Sequence, residues 1–290
     1  MTPPRHSSCI LCGSPRIQPL PRYAAAYLVR CKACSLVFVE RIPTSDELIA
    51  HYEKYGRNEG ISPITVQRYQ ELLDRFEPYR RKGRILDVGC GVGSFLVQAK
   101  GRGWDVHGTE YTDDAVAICR NKGLTIYQGP LHEENHDSGD FDVVTYFEVI
   151  EHINNPREDL AQVRALLRPG GLFYCTTPNF SSVSRALLRE KWTVIDYPEH
   201  LTYYTARTLS RLLRQHGFRV RRVESTGFSL TRYRAGTGSA EKYPIGGESE
   251  DERLRQHLEK PMGRVIKKVV NAALTLVRKG DSLKIWATKR

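Results

Sequence analysis

Two sets of residues in this sequence have types and spacings that suit metal or acid–base chemistry. Cys9 and Cys12 form one C-x-x-C pair, and Cys31 and Cys34 form a second after an interval of eighteen residues. Four thiols so spaced match a tetrahedral zinc site with each pair on a small knuckle. Protein would fill every position, so the metal would be structural; a redox pair or unused thiols are the alternatives. In DVVTYFEVIEHINNP, Asp142 to Pro156, an apolar run meets Glu148, then Glu151 and His152. Such groups after a buried strand are costly unless they have a task. If a helical turn begins there, the three stand at i, i+3 and i+4 and converge within about 5–6 Å. They could bind a hard divalent cation or a substrate hydroxyl, or form a purely structural cluster.

A third set is ILDVGCGVGSFL, where Gly89, Gly91 and Gly93 follow a strand and open a helix. Glycine permits positive φ and lets the backbone approach a ligand. Glu110 ends the next strand, 17 residues after Gly93, where an acid would meet ribose hydroxyls. A tight structural turn is the alternative. The spacing is G-x-G-x-G preceded by Asp87, not the G-x-G-x-x-G of nicotinamide dehydrogenases.

The elements that must hold these groups can be read from the pattern. RILDVGC, DVHGTEY, LTIYQG, FDVVTYFEV, LFYCTTPN and RVRRVES read as strands. GSFLVQAKGRG, TDDAVAICRNKG, REDLAQVRALLRPGG and TARTLSRLLRQHGF read as helices between them. This alternation predicts a parallel, doubly wound α/β sheet. Residues 1–40 read as a separate small unit with too little core to fold without its metal, and 44–82 read as helical. Residues 229–260 read as a polar loop, GRVIKKVVNAALTLVRKG as an amphipathic helix and DSLKIWATK as a final strand.

These motifs, in this order, resemble class I S-adenosylmethionine-dependent methyltransferases over roughly residues 64–290. The resemblance implies a mostly parallel seven-stranded Rossmann-like sheet with an antiparallel last strand. It implies a zinc ribbon at 1–40, a helical linker or lid at 41–82 and the methyltransferase domain at 83–290, with 229–280 inserted before the last strand. Asp87, Gly89, Gly91 and Gly93 would surround the methionine part of the cofactor. Glu110 would hold the ribose hydroxyls, Tyr111 would lie against the adenine, Leu131 would cover it and Gly129 would shape that loop. Pro130 stands where many relatives carry an Asp. Phe147 would pass close to the sulfonium. E-x-x-E-H occurs in ubiquinone-biosynthesis O-methyltransferases, where it can hold Mg2+, and in small-RNA 2′-O-methyltransferases. His200 in PEHLTYYT would be a fourth ligand there, or the base that deprotonates the acceptor, with Trp192, Tyr197 and Tyr203 walling the pocket or simply packing in the core. VRCKACSLVFVERIPTSDELIAHYEKY resembles the zinc-ribbon start of bacterial methyltransferases of sugar, glycan and natural-product pathways, in which ribbon and helices cover the substrate cleft.

The expected activity is methyl transfer to a small or glycan-linked acceptor, most simply on oxygen. The alternatives are C-methylation of a nucleotide sugar, RNA 2′-O-methylation and a non-catalytic cofactor-binding module. The formal charge of +11 suggests an anionic partner such as a phosphate, an acidic lipid surface or nucleic acid; no RNA-binding module is evident, so nucleic acid is not expected. Residues 251–290 carry about +7 (eleven Lys and Arg, four Asp and Glu). The helix at 262–279 would therefore lie on an anionic inner-membrane surface near a lipid-linked substrate, or pack its apolar face on its own sheet. No apolar run has the length of a membrane span and no signal peptide is evident, so a cytoplasmic setting is expected. Cys90, Cys119 and Cys175 read as buried packing residues.

Overall fold

The computed structural model describes residues 4–44, 47–48, 51, 60–131, 139–229, 233–234 and 261–290. Part of the expected helical stretch at 44–82, and nearly all of the expected loop at 229–260, lies outside them. Three short strands open the chain: β1 (Ile17–Pro19), β2 (Leu28–Cys31) and β3 (Val37–Val39). Helix α1 (Pro63–Phe76) follows, with Ser62 accepting from the Thr65 N–H and proline at its first position, where a missing N–H breaks no bond. The alternation then runs β4 (Arg84–Val88), α2 (Ser94–Gly101), β5 (Asp105–Glu110), α3 (Asp113–Asn121), β6 (Thr125–Gln128) and β7 (Phe141–Phe147). It continues with α4 (Pro156–Leu166), β8 (Leu167–Pro178), α5 (Val183–Leu188), β9 (Thr202–Tyr203), α6 (Ala206–Gln215) and β10 (Phe218–Thr226). Helix α7 (Pro261–Val277) and strand β11 (Ser282–Lys289) complete it.

The main sheet has the order β10-β11-β8-β7-β4-β5-β6. Its strands are parallel except β11, which runs antiparallel to both β8 and β10. This is the expected sheet, including the antiparallel last strand. β7 is buried over its first six residues, as a central parallel strand covered on both faces must be. The one charge in that run, Asp142, accepts from the Arg81, Lys82 and Gly83 N–H groups at 2.7–2.8 Å and from Arg168 Nε at 2.5 Å. Burial alone would raise its carboxyl; Arg168 and these N–H groups hold it below the ordinary range instead. Helix α4 ends at Leu166 rather than running through Gly171. Pro169 disfavours the helical region at Arg168 and lacks an N–H, so LRPGG joins β8.

The N-terminal unit is not separate. Its sheet has the order β1-β2-β3-β9, and β9 comes from the segment after β8. Val37 pairs with Tyr203 and Phe38 with Thr202. Cys9, Leu11 and Phe38 belong to the same buried cluster as Leu86, Tyr146 and Tyr204 of the larger domain. A unit this small gains a core by sharing one.

Helix α7 is tied to the end of β10 by Thr275 and Asn271, which bond the Ser225 and Gly227 backbone. Its apolar residues Val265, Ile266, Val269, Val270, Leu276 and Val277 are exposed, so the expected packing of that face on the sheet is not what forms. Among the described residues no helix is long and apolar enough to cross a membrane.

Candidate active site

The rim formed by the C-terminal ends of β4, β5, β7 and β8 gathers most of the singled-out residues, as open parallel sheets require of a ligand site. Asp87, near the end of β4, is buried and accepts from Thr145 Oγ1 at 2.7 Å. Burial pushes its carboxyl up to about 7, against that hydrogen bond. Gly89, Gly91 and Gly93 all have positive φ. A Cβ at Gly89 would lie 2.9 Å from Val149 Cγ2, so the glycine lets the loop close onto the end of β7. A Cβ at Gly91 or Gly129 would meet nothing within 4 Å; their backbones border open space.

Glu110, at the end of β5, is held from several sides. Its Oε1 accepts from the Tyr111 and Thr112 N–H groups and from Thr112 Oγ1 at 2.9–3.0 Å, and its Oε2 accepts from the Gly91 N–H at 3.0 Å. A carboxylate fixed by backbone donors beside bare glycine backbone fits a ligand with ribose hydroxyls, and S-adenosylmethionine is such a ligand. Tyr111 is 66% exposed beside it and Leu131 is buried below. Gly129 donates its N–H to Glu110 O at 2.8 Å, which fixes its loop to β5.

Phe147 ends β7 among aromatic rings, with centroids 4.9 Å from Phe95, 5.7 Å from Tyr174 and 6.0 Å from Tyr69. From there a cavity of about 730 Å³ opens, lined by Phe147, Glu148 and Thr176 at the rim and by Tyr174, Lys284 and Trp286 on the sheet. Helices α1 and α7 form its other walls.

The acid–histidine segment differs from the expected helical turn. Glu148 has φ +55°, a left-handed conformation that L side chains avoid, and only Ile150–His152 form a 3₁₀ turn. Glu148 is therefore out of helical phase with its neighbours and lies on the cavity wall. Glu151 and His152 converge with His200 instead: each presents one ligand atom, all within 4.8 Å of one another. Glu151 is buried and accepts from Thr177 Oγ1 at 2.9 Å. The imidazoles of His152 and His200 are 4.8 Å apart. His152 Nδ1 lies 2.9 Å from Glu199 O, and His200 Nδ1 lies 2.6 Å from Val194 O. A carbonyl only accepts, so both Nδ1 atoms carry the proton, and in the neutral tautomer the lone pair is on Nε2. Burial, reinforced by His200, lowers His152 to about 4.

The three aromatic residues expected to wall the pocket stand elsewhere. Trp192 and Tyr203 are buried in a cluster with Leu28, Val37 and Val39 of the N-terminal sheet, and Tyr197 packs against it. Tyr197 donates its hydroxyl to Glu47 at 3.2 Å. Their aromatic surface packs the N-terminal sheet against Phe180 and Leu188 of the segment after β8 instead of lining the cavity. A second acid–histidine group was not legible in the sequence: His51, Asp196 and Glu199 offer ligand atoms within 4.8 Å of one another, with His51 Nε2 3.4 Å from Glu199 Oε2. Glu199 stands next to His200, the one local hint; His51 is far away in the chain.

The four paired cysteines converge. Cys9 and Cys34 sulfurs are 3.5 Å apart, Cys12 and Cys31 sulfurs 3.6 Å, and all four lie within 4.8 Å. Four sulfurs at ~2.3 Å around a tetrahedral centre stand roughly 3.8 Å apart. The Cys34 hydrogen bond pulls the Cys9 thiol down to about 5 against burial, so a thiolate forms readily. The set fits a tetrahedral metal.

Comparison with known proteins agrees with this geometry. A family model described as Methyltransferase domain matches residues 62–223. A ubiquinone biosynthesis O-methyltransferase from Roseobacter denitrificans is 35% identical over 168 residues, covering 53% of this chain and 68% of that protein. The one from Cereibacter sphaeroides is 36% identical over 117 residues, 38% of this chain and 47% of that protein. The chain thus spans only about half the length of some of the curated relatives it matches. Among solved structures, an S-adenosylmethionine-dependent methyltransferase from Archaeoglobus fulgidus superposes with a TM-score of 0.54 at 21% identity, covering 83% of this chain and 99% of that one. A phosphoethanolamine N-methyltransferase from Haemonchus contortus, solved with S-adenosyl-L-methionine, gives 0.52 at 18% identity over 85% of this chain and 57% of that one. The glycine loop, the acid after the second strand of the main sheet and the strand order thus have the setting their spacing implied, and the chain belongs to the methyltransferase-domain family.

Proposed function

We propose that this protein transfers a methyl group from S-adenosylmethionine to a hydroxyl oxygen of a small-molecule acceptor in a biosynthetic pathway. The observation that carries the choice of oxygen is the histidine pair. Two imidazoles, each with Nδ1 hydrogen-bonded to a backbone carbonyl, converge with Glu151 and direct their proton-accepting character to Nε2. Hydroxyl nucleophiles need a proton acceptor, and a positioned base adds about 10²–10⁴-fold. The names of the relatives from Roseobacter and Cereibacter support the same choice.

The bound cofactor supplies an electrophilic methyl group on a sulfonium. Asp87, the glycine loop, Glu110, Tyr111, Gly129 and Leu131 would hold it, with Phe147 beside the sulfonium. The protein then aligns the acceptor oxygen and keeps water out, which is the main source of rate in such a displacement. His200 Nε2 takes the acceptor proton. His152, held near 4, is too weak a base at neutral pH and instead positions its neighbour. Cys9, Cys12, Cys31 and Cys34 would hold structural Zn2+. A second reading has an observation of its own: Glu151, His152 and His200 could hold a divalent cation such as Mg2+, which would acidify the acceptor hydroxyl.

The test uses catechol as acceptor and calorimetry for cofactor binding. His200→Ala should lower turnover by about 10²–10⁴-fold with S-adenosylmethionine affinity unchanged; undiminished turnover removes His200 as the base. Enzyme stripped with EDTA and returned to Zn2+ alone should keep full activity. A requirement for added Mg2+ would favour the cation reading.

A further inference from the structure

Helix α7 is amphipathic in the reverse sense: its polar side is fastened to the protein and its apolar side faces outward. Asn271 Oδ1 accepts from the Gly227 N–H at 2.9 Å. Thr275 Oγ1 accepts from the Ser225 N–H and donates to Ser225 O, both at 3.1 Å. These two side chains, one turn apart, hold the helix to the end of β10. On its far side Ala272, Val265, Leu276, Val269, Ile266 and Val277 fall within an arc of about 140°, at about 100° per residue, that holds no polar residue. All are exposed, Leu276 at 85%, Val269 at 63% and Val265 at 61%. Ile266 also lines the cavity, as do Val270 and Leu274 beyond it around the helix, so the apolar arc runs on into the cavity wall.

A continuous apolar face turned to water marks an interaction surface, and the charge around it selects the partner. Residues 261–290 contain eight Lys and Arg and one acid, Asp281. Asp281 is buried, where it accepts from Ser184 Oγ and the Ser229 N–H. Lys268 is exposed beside the arc, and Arg278 and Lys279 are exposed at the end of the helix. A second copy on this face would set like charge against like charge. A helix face about 25 Å long and 10 Å wide is also well below the roughly 800 Å² per partner of a stable protein interface. The arc is aliphatic and lacks the Tyr, Trp or Arg anchors that fix a specific protein partner. An aliphatic face edged with cations matches hydrocarbon beneath negatively charged headgroups. The helix is not long and apolar enough to cross a membrane, so it would lie along one.

We infer that α7 docks on a bilayer containing anionic phospholipid, in the plane of its surface, with Val265, Val269 and Leu276 in the acyl region and Lys268, Arg278 and Lys279 at the headgroup phosphates. The interaction is separate from cofactor binding, because these residues stand outside the glycine loop and the rim.

The test floats the full chain with vesicles of phosphatidylcholine alone, or with about one third phosphatidylglycerol, in about 0.1 M salt. Binding to the anionic vesicles should be at least about tenfold tighter than to the neutral ones and should weaken as salt rises. Val269→Ser combined with Leu276→Ser should weaken it by about tenfold or more, the scale of two aliphatic side chains left in water. Both positions are exposed, so the Tm and S-adenosylmethionine affinity should stay unchanged. Lys268→Glu combined with Lys279→Glu should remove the preference for anionic lipid. No binding to either vesicle, equal binding to both, or undiminished binding by the aliphatic double variant would overturn the inference. A dimer in light scattering that the same variant dissociates, without vesicle binding, would overturn it in favour of a second copy.

Discussion

A carboxyl buried as deeply as Asp87 is neutral over much of the acid range, because burial holds it up to about 7. A cationic cofactor beside it favours the charged form. Below pH 7 binding must therefore expel a proton, so S-adenosylmethionine affinity should rise with pH and level off above about 7, with a slope approaching tenfold per unit on the acid side. Asp87→Asn should bind more weakly and without that slope in calorimetry between pH 5.5 and 8.5. Asp87 and Glu110 were legible because each stands at or next to the end of a strand whose pattern is plain in the sequence. The separation of Glu148 from Glu151 and His152 was not legible, because its φ of +55° breaks the helical phase that sequence spacing assumes. The adjacency of His152 and His200 could only be suspected, since nothing local links residues 48 positions apart. Trp192 and Tyr203 could wall a pocket or pack in the core, because aromatic residues near a site suit either role; only burial decides, and it favours packing.

The loop between β4 and α2 sets the cofactor site by close approach. A Cβ at Gly93, whose φ is +74°, would stand 2.5 Å from Leu124 Cδ1 and 2.9 Å from Cys119 Sγ. Gly93→Ala should cost about 2 kcal/mol of stability, from backbone strain and overpacking together, and should weaken S-adenosylmethionine binding beyond that of the folded fraction. Chemical denaturation and calorimetry measure the two effects. Cys119 also donates to Gly91 O at 3.2 Å, so one small buried thiol supports two of the three glycines. The strands and helices themselves followed from the apolar period and from caps. The end of α4 did not, because a proline that permits either a turn or a strand start is resolved only by the partner strand β7.

The N-terminal ribbon and the larger domain share a sheet through β3 and β9 and share a buried cluster through Cys9, Leu11 and Phe38. Removing the metal should therefore loosen more than residues 5–41. Cys31→Ser, or metal stripped by a strong chelator, should lower the Tm by about 5 °C or more. Hydrogen exchange should speed up both in the ribbon and in residues 194–204, which carry the Val194 carbonyl that holds His200. Faster exchange confined to the ribbon would show that the shared strand is not coupled to the metal. By itself the sequence determined the element types, the cofactor-binding rim and the four-thiol cluster. Each depends on residues close along the chain or on strand ends, where period and spacing carry the information. Tertiary structure alone decided that His200 stands beside His152, that Trp192 and Tyr203 pack against the N-terminal sheet, and that Lys284, Arg68, Arg75 and Lys267 line one cavity. Those are meetings of distant segments, set by sheet order and cross-strand register, and no local pattern encodes them.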